Sequence, residues 1–173
     1  TNIVLSDTTL NEAAPIGTTV GVLSTIDEDV SDAFTYALVS GAGDADNLDF
    51  SINGNLLLSN KNFDFETQSS YSIRVQTSDR QGATFEKVFT IQLTNGNEAP
   101  TIADQSFTIA DNNAPNQLLG TLVAQDIDLY ETFSFRIITE QNTLSIDAVT
   151  GELFALRSID YETNRTIIVE VEV

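Results

Sequence analysis

The apolar positions of this chain fall in short runs in which hydrophobic and polar residues alternate. Alternation with a period of two directs one face of a β-strand to a core and the other to solvent. Turn residues separate the runs, and no segment keeps a helical period. The pattern therefore predicts an all-β protein built of antiparallel sandwiches. The predicted strands are 19–26, 34–38, 50–52, 56–58, 71–75 and 88–93, then 107–109, 118–123, 133–137, 144–146, 153–154 and 167–171.

The second half of the chain repeats the first. One set of equivalents is spaced by 99 residues (120−21, 126−27, 133−34): Gly21, Leu23, Asp27, Asp29, Phe34 and Tyr36 correspond to Gly120, Leu122, Asp126, Asp128, Phe133 and Phe135. A later set is spaced by 97 and then 96: Gly54, Leu56, Asp64 and Glu66 correspond to Gly151, Leu153, Asp160 and Glu162. Repetition of this kind predicts two copies of one domain, 1–95 and 101–173, joined by a linker at 96–100.

The second copy stops before it reaches a counterpart of the predicted strand 88–93. It is therefore expected to lack its last strand in this chain, which would leave a sheet edge uncovered. Either the parent protein continues or another chain supplies the strand, and the first alternative is favoured.

The charge of the chain excludes some partners and favours others. The 173 residues carry 26 acids against 7 bases, a net charge of −19, so nothing is available to neutralise nucleic-acid phosphates. His and Cys are both absent, so catalytic triads, thiol chemistry and zinc binding are not expected, and we predict that the chain is not an enzyme. No apolar stretch is long enough for a membrane span. Acids at repeated positions favour a cation as the ligand.

A single calcium-binding loop does not account for the acids. The run from Asp44 to Asp49 has Leu48 at the fifth position, lacks glycine at the sixth and has no closing glutamate. It therefore fails the EF-hand pattern and is predicted to be a solvated turn.

The order and spacing of the acidic motifs resemble the cadherin repeat family over essentially the whole chain. The motifs are Glu12-Ala-Ala-Pro15, Asp27-Glu-Asp29, Asp64-Phe-Glu66, Asp79-Arg-Gln-Gly82, Asn97-Glu-Ala-Pro100 and, in the second copy, Asp160-Tyr-Glu162. The resemblance implies a seven-stranded Greek-key, immunoglobulin-like sandwich for each repeat, with two or three Ca²⁺ ions at the boundary between repeats. The short linker is similar to that of bacterial cadherin-like domains, and its neutral Asn95 stands where an Asp is usual.

The resemblance also assigns ligands, residue by residue. The inter-domain set is Glu12, Asp64, Glu66, Asn95, Asn97, Glu98, Asp126 and Asp128. Asp27, Asp29 and Asp79 would form half of a site facing a preceding repeat, and Asp111, Asp160 and Glu162 half of a site facing a following one. Asp111 is the counterpart of Glu12 (111−12 = 99).

The function implied is a calcium-stiffened spacer or adhesion module of a large extracellular protein, at the cell surface or secreted and bacterial in origin. Its partners would be adjacent repeats of the parent chain, and a homophilic or glycan partner is a further alternative. The alternative is a calcium-dependent carbohydrate-binding module of a secreted bacterial protein. That alternative has little support in the aromatic residues, because there is no Trp and only Tyr130 is predicted in a loop, while Tyr36, Tyr71 and Tyr161 are predicted in or near the core.

Overall fold

The computed structural model describes residues 1–28, 33–128 and 131–173. The chain divides into two compact units, Thr1–Gly96 and Asn97–Val173, and the division falls inside the predicted linker. In the described ranges no helix has the length and hydropathy needed to cross a bilayer. Asp29 and Tyr130, two residues singled out in the sequence, lie outside these ranges.

Unit 1 is a sandwich of two four-stranded sheets, as the alternation predicts. One sheet has the order β1-β3-β6-β5 and the other β2-β8-β7-β4. The strands are β1 (Asn2–Leu5), β2 (Thr9–Asn11), β3 (Thr19–Ile26), β4 (Thr35–Leu38), β5 (Phe50–Asn53), β6 (Leu56–Ser59), β7 (Ser70–Ser78) and β8 (Thr84–Thr94), with a 3-10 turn at Asn47–Asp49. The predicted hairpin between β5 and β6 turns at Gly54, which has φ of +63°.

The N-terminal segment of unit 1 contributes one strand to each sheet. β1 pairs antiparallel with β3, whereas β2 pairs parallel with β8. Asp7 lies at the break, where its Oδ1 accepts hydrogen bonds from the backbone N–H groups of Thr8 (2.6 Å) and Thr9 (2.9 Å). An aspartate that binds the following N–H groups competes with the strand ladder and turns the chain.

A steric contact in unit 1 explains why both copies have glycine at the equivalent positions 21 and 120. A Cβ on Gly21 would lie 2.8 Å from the carbonyl oxygen of Asp7 and 2.9 Å from Leu5 Cδ1. The ladder between β3 and β6 shifts register at this point, which is typical of a β-bulge. In unit 2 a Cβ on Gly120 would likewise meet the ring of Phe107.

The acidic run at 44–49 forms turns in which no residue is buried, as predicted, and its carboxylates also bond to neighbouring elements. Asp46 Oδ2 accepts the backbone N–H of Ser72 at 2.6 Å, and Asp49 Oδ2 lies 2.9 Å from Lys61 Nζ. These carboxylates tie the 3-10 turn to β7 and to the chain after β6.

Unit 2 repeats the arrangement with shorter strands. They are β9 (Thr101–Ile102), β10 (Gln117–Thr121), β11 (Ala124–Gln125), β12 (Arg136–Ile137), β13 (Leu144–Ile146), β14 (Glu152–Ala155) and β15 (Val171–Glu172). β10, β14 and β13 form one sheet, while β11 pairs with β9 and β12 with β15. The two ladders correct one equivalence drawn from the sequence: Gly21 pairs with Leu57 and Gly120 with Leu153, so Leu153 corresponds to Leu57 rather than Leu56.

The strand predicted at 107–109 is not formed, and the one predicted at 167–171 is reduced to β15. In unit 1 the equivalent segments, β2 and β7, both pair with β8. The described residues of unit 2 include no counterpart of β8, so these two segments have no strand between them. A groove of about 460 Å³ separates them instead, lined by apolar residues that include Phe107, Leu144 and Val169.

Candidate metal centre

Glu12 is a buried carboxylate at the end of β2 in unit 1. Its side chain is only 7% exposed. Oε2 accepts the backbone N–H of Phe65 at 2.6 Å, and Oε1 accepts that of Gly96 at 2.5 Å. Glu12 therefore joins the chain after β2 to the loop after β6 and to the end of the unit. Each oxygen retains a lone pair for a further ligand.

The loop after β6 brings Glu66 to Glu12. One carboxylate oxygen of each lies within 4.8 Å of the other. Asp64, two residues earlier, turns toward Thr67 instead: its Oδ1 accepts the Thr67 N–H at 2.8 Å and its Oδ2 the Thr67 hydroxyl at 2.9 Å. The bond from the Thr67 N–H, followed by that from its hydroxyl, lowers the pKa of Asp64. These bonds favour the ionised form of Asp64, in the same loop as Glu66.

In unit 2 the predicted ligands near the linker form a second group. Asp128 is 9% exposed, and its Oδ2 accepts the backbone N–H of Glu98 at 2.8 Å. The N–H of Asp128 donates to Asp126 Oδ1 at 2.9 Å. Asn97 donates from its side chain to the carbonyl of Glu98 at 2.7 Å. The first residues of unit 2 are therefore fixed to the acidic turn at 126–128. Asn95, at the end of unit 1, is exposed directly after β8.

The three acids of the predicted C-terminal half-site meet in unit 2. Asp111, Asp160 and Glu162 each place a carboxylate oxygen within 4.8 Å of the other two, and all three residues are exposed. Asp111 Oδ1 accepts the N–H of Tyr161 at 3.1 Å, as Glu12 accepts that of Phe65 in unit 1. The shorter aspartate thus makes the bond that the predicted correspondence with Glu12 requires.

Thr163 holds this cluster as Thr67 holds Asp64. Its hydroxyl donates to Asp160 Oδ2 at 2.9 Å. That bond is the main cause of a lowered pKa of Asp160, and hydrogen bonding with Glu162 lowers it further. Neither threonine was singled out from the sequence. Both follow the aspartate by three residues, Asp64-Phe-Glu-Thr67 and Asp160-Tyr-Glu-Thr163, which is the spacing that could have revealed them.

Two acids of the predicted N-terminal half-site, Asp27 and Asp79, lie in the described part of the chain. Asp27 Oδ2 accepts the hydroxyl of Thr1, whereas Asp79 Oδ1 accepts the N–H of Ala83 at 2.8 Å within its own turn. Asp29 lies outside the described residues.

The donor set of these groups decides which ion they fit. Every candidate ligand is a carboxylate or amide oxygen, since the chain has neither His nor Cys. Oxygen ligands in this number suit a hard divalent cation such as Ca²⁺ and disfavour zinc or copper. Close carboxylates repel one another, and a cation between them converts the repulsion into attraction.

One aromatic residue is placed differently from the prediction. Tyr161, expected in or near the core, is 53% exposed, and Arg165 lies over its ring at 5.6 Å. Tyr71 is buried and Tyr36 half-buried, as predicted. Tyr161 lies in the exposed loop that carries Asp160 and Glu162, so its ring does not pack in the core of unit 2.

The sequence relatives are cadherins. Human protocadherin-18 is 34% identical over 134 residues, which cover 69% of this chain and 12% of that protein. Mouse protocadherin Fat 4 is 29% identical over 174 aligned residues, covering 95% of this chain and 3% of its own length. The chain thus spans a small fraction of the curated relatives it matches. No family model matches it.

Solved structures of cadherin domains share the fold. Domains EC1-2 of human protocadherin-24 superpose with a TM-score of 0.69 at 15% identity, covering 99% of this chain and 92% of that one. Extracellular cadherin domains 3–6 of protocadherin gamma B2 give 0.63 at 22% identity, with 95% and 44% covered. The relatives named are animal proteins, so the narrower bacterial assignment has no support. Relatives and structural neighbours together support the identification of this chain as two tandem cadherin domains.

Proposed function

We propose that the chain is a calcium-binding pair of cadherin domains from an extracellular adhesion or spacer protein, and that Ca²⁺ at the junction of the domains stiffens it. The ligands are the inter-domain set predicted from the sequence, with two or three ions. Relatives that are protocadherins, and neighbours described as extracellular cadherin domains, support this reading.

The observation that carries the proposal is the attachment of both acidic groups to the same short stretch of chain. Glu12, beside Glu66, accepts the N–H of Gly96, the last residue of unit 1. Glu98, the second residue of unit 2, donates its N–H to Asp128. Two residues of extended chain span at most about 7 Å. Covalent connectivity therefore limits the distance between the two backbone N–H groups to which these carboxylates are bonded.

A cation is the partner that such an arrangement favours. Acids tethered at a junction repel each other and favour many orientations of the units, whereas a shared ion favours the few in which both groups contribute oxygens. The chain's net charge of −19 adds to the repulsion and makes a divalent ion more favourable still. Calcium at extracellular millimolar concentration suits sites of moderate affinity.

Thermal unfolding with and without calcium tests the proposal. Calcium at 100 times its dissociation constant stabilises the folded state by about 2.7 kcal/mol. For domains of this size that corresponds to a rise in Tm of roughly 10–20 °C over chelator. Glu66→Gln should remove most of the rise.

The matched control is Glu131→Gln, because Glu131 is exposed and belongs to neither carboxylate cluster found in the described chain. Magnesium at equal ionic strength controls for general screening. Equal melting curves in calcium and chelator would reject the proposal. An equal loss of the calcium response in both variants would instead point to non-specific charge screening.

A further inference from the structure

Lys61 occupies an aromatic box in unit 1, next to the ligand loop. Its Nζ lies 2.9 Å from Asp49 Oδ2, 4.9 Å from the ring centroid of Tyr71 and 5.4 Å from that of Phe63. The two rings that form the box, Phe63 and Tyr71, pack edge to face at 4.9 Å, and Phe50 packs against Phe63 at 5.3 Å. An ammonium over aromatic faces and beside a carboxylate is attracted by all of them.

The box supports the residues that present the acids. Phe63 directly precedes Asp64 and is buried. Two residues after Phe63, the N–H of Phe65 donates to Glu12. The loop from Phe63 to Thr67 is therefore fixed at its start by the aromatic box and in its middle by Glu12.

Unit 2 provides a comparison without this device. In unit 1 Phe50 pairs with Ser59, and in unit 2 Leu144 pairs with Ala155. Asp49 directly precedes Phe50, so its counterpart is Thr143. Lys61 lies two residues after Ser59, so its counterpart is Arg157. Arg157 donates to the Thr143 hydroxyl at 3.0 Å, a bond to a neutral group. The counterparts of Phe63 and Tyr71, 96 residues further on, are Ile159 and Ile167, which pack in an apolar cluster.

We propose that Lys61 is a positioning residue for the calcium-ligand loop of unit 1: through Asp49, Phe63 and Tyr71 its ammonium holds the loop so that Glu66 stands beside Glu12 before an ion arrives. This rests on the proposed calcium function. A site whose ligands are already in place loses less conformational entropy on binding, and therefore binds more tightly. The contribution is specific to unit 1, because the counterparts of Asp49, Phe63 and Tyr71 around Arg157 are Thr143, Ile159 and Ile167.

The test compares Lys61→Met, which keeps the aliphatic stem and removes the charge, with Arg157→Met as the matched control in unit 2. The first readout is amide hydrogen exchange of the intact chain in chelator. Lys61→Met should speed exchange of the Phe65 N–H by about threefold to thirtyfold, the range of a cation–π contact. The amide of Ile73, in the core of unit 1, should change much less, and Arg157→Met should leave Phe65 unaffected. Asp49→Asn should reproduce the effect, which guards against a fault particular to one variant.

The second readout is calcium affinity measured by titration calorimetry. Lys61→Met should weaken calcium binding by about threefold or more. Arg157→Met should leave unchanged the calcium-binding step that Glu66→Gln removes. Uniform acceleration of exchange at Phe65 and Ile73, or unchanged exchange at Phe65, overturns the proposal. If the wild-type chain binds no calcium, the proposed function fails, and the exchange experiment still decides whether Lys61 positions the loop.

Discussion

Three hydroxyl groups link the two sheets of unit 1, and their removal should show strong coupling. Thr25 Oγ1 lies 2.8 Å from Thr77 Oγ1 and 3.1 Å from the Tyr36 hydroxyl. Thr77 is 2% exposed, so its hydroxyl depends on this contact rather than on water. The three residues belong to β3, β7 and β4, which places the network between the sheets.

Unit 2 has an apolar version of the same position. The counterparts of the three residues are Ala124 (25+99), Phe135 (36+99) and Val173 (77+96), which lie in one hydrophobic cluster. The fold therefore accepts either a complete polar network or none at this place. A partly removed network is the unfavourable case, because a buried hydroxyl without a partner retains its desolvation cost.

The perturbation is Thr25→Val, Thr77→Val and the double variant. Thr25→Val leaves the Thr77 hydroxyl buried without its partner and should cost about 1–3 kcal/mol. Thr77→Val leaves the Thr25 hydroxyl bonded to Tyr36 and should cost about 1 kcal/mol. The double variant removes both groups and should cost less than the sum by at least about 1 kcal/mol, since the unsatisfied hydroxyl is gone.

Native-state hydrogen exchange of the buried β7 amides, such as that of Ile73, measures the free energy of unfolding of unit 1 within the intact chain. The amide of Leu153 in unit 2 is the internal control and should not change. If the costs of the single variants add within about 0.5 kcal/mol, the hydroxyls do not act as a network and the reasoning is refuted.

Two further predictions concern the start of unit 1. Gly21→Ala should lower its stability by about 1–3 kcal/mol in urea denaturation, because the new Cβ meets the Asp7 carbonyl oxygen; an unchanged midpoint would show that β1 moves aside freely. The Thr9 hydroxyl, with the N–H groups of Thr9 and Thr8, lowers the pKa of Asp7. The ionised Asp7 carboxylate therefore stabilises the fold fully above an ordinary carboxyl pKa near 3.9, and this stabilisation is lost as pH falls through the lower pKa of the folded state. Asp7→Asn should therefore be less stable than wild type at pH 7 and converge with it in strong acid, and a difference independent of pH would contradict this.

The strands of unit 1 were predictable because a complete sandwich enforces the alternation. β3 begins and ends where the pattern predicts, and the β5–β6 hairpin turns at Gly54. The segment 107–109 has the same alternation but forms no strand, since the described residues offer it no pairing partner. Alternation indicates which face of a segment is apolar, and hydrogen bonding to a neighbour decides whether it becomes a strand.

The candidate site was predictable where it depends on repeated acids. Asp111, Asp160 and Glu162 come together as the correspondence between the copies requires. The supporting groups were harder to predict. Lys61 and Asp49 are separated by the whole β5–β6 hairpin, and only the paired strands show that they meet. Tyr161 was mispredicted for another reason: the resemblance to the family placed it in or near the core, whereas the side chain is exposed in this chain.

Small-angle X-ray scattering of the intact chain, in calcium and in chelator, tests the central claim most directly. In calcium the distribution of interatomic distances should be narrower, and conformations that span a smaller range of molecular dimensions should fit the scattering curve. Magnesium at equal ionic strength should have a much smaller effect. Glu66→Gln should scatter in calcium as wild type does in chelator, and Glu131→Gln should behave as wild type throughout. Superimposable wild-type curves in calcium and chelator would contradict the claim that calcium stiffens the junction.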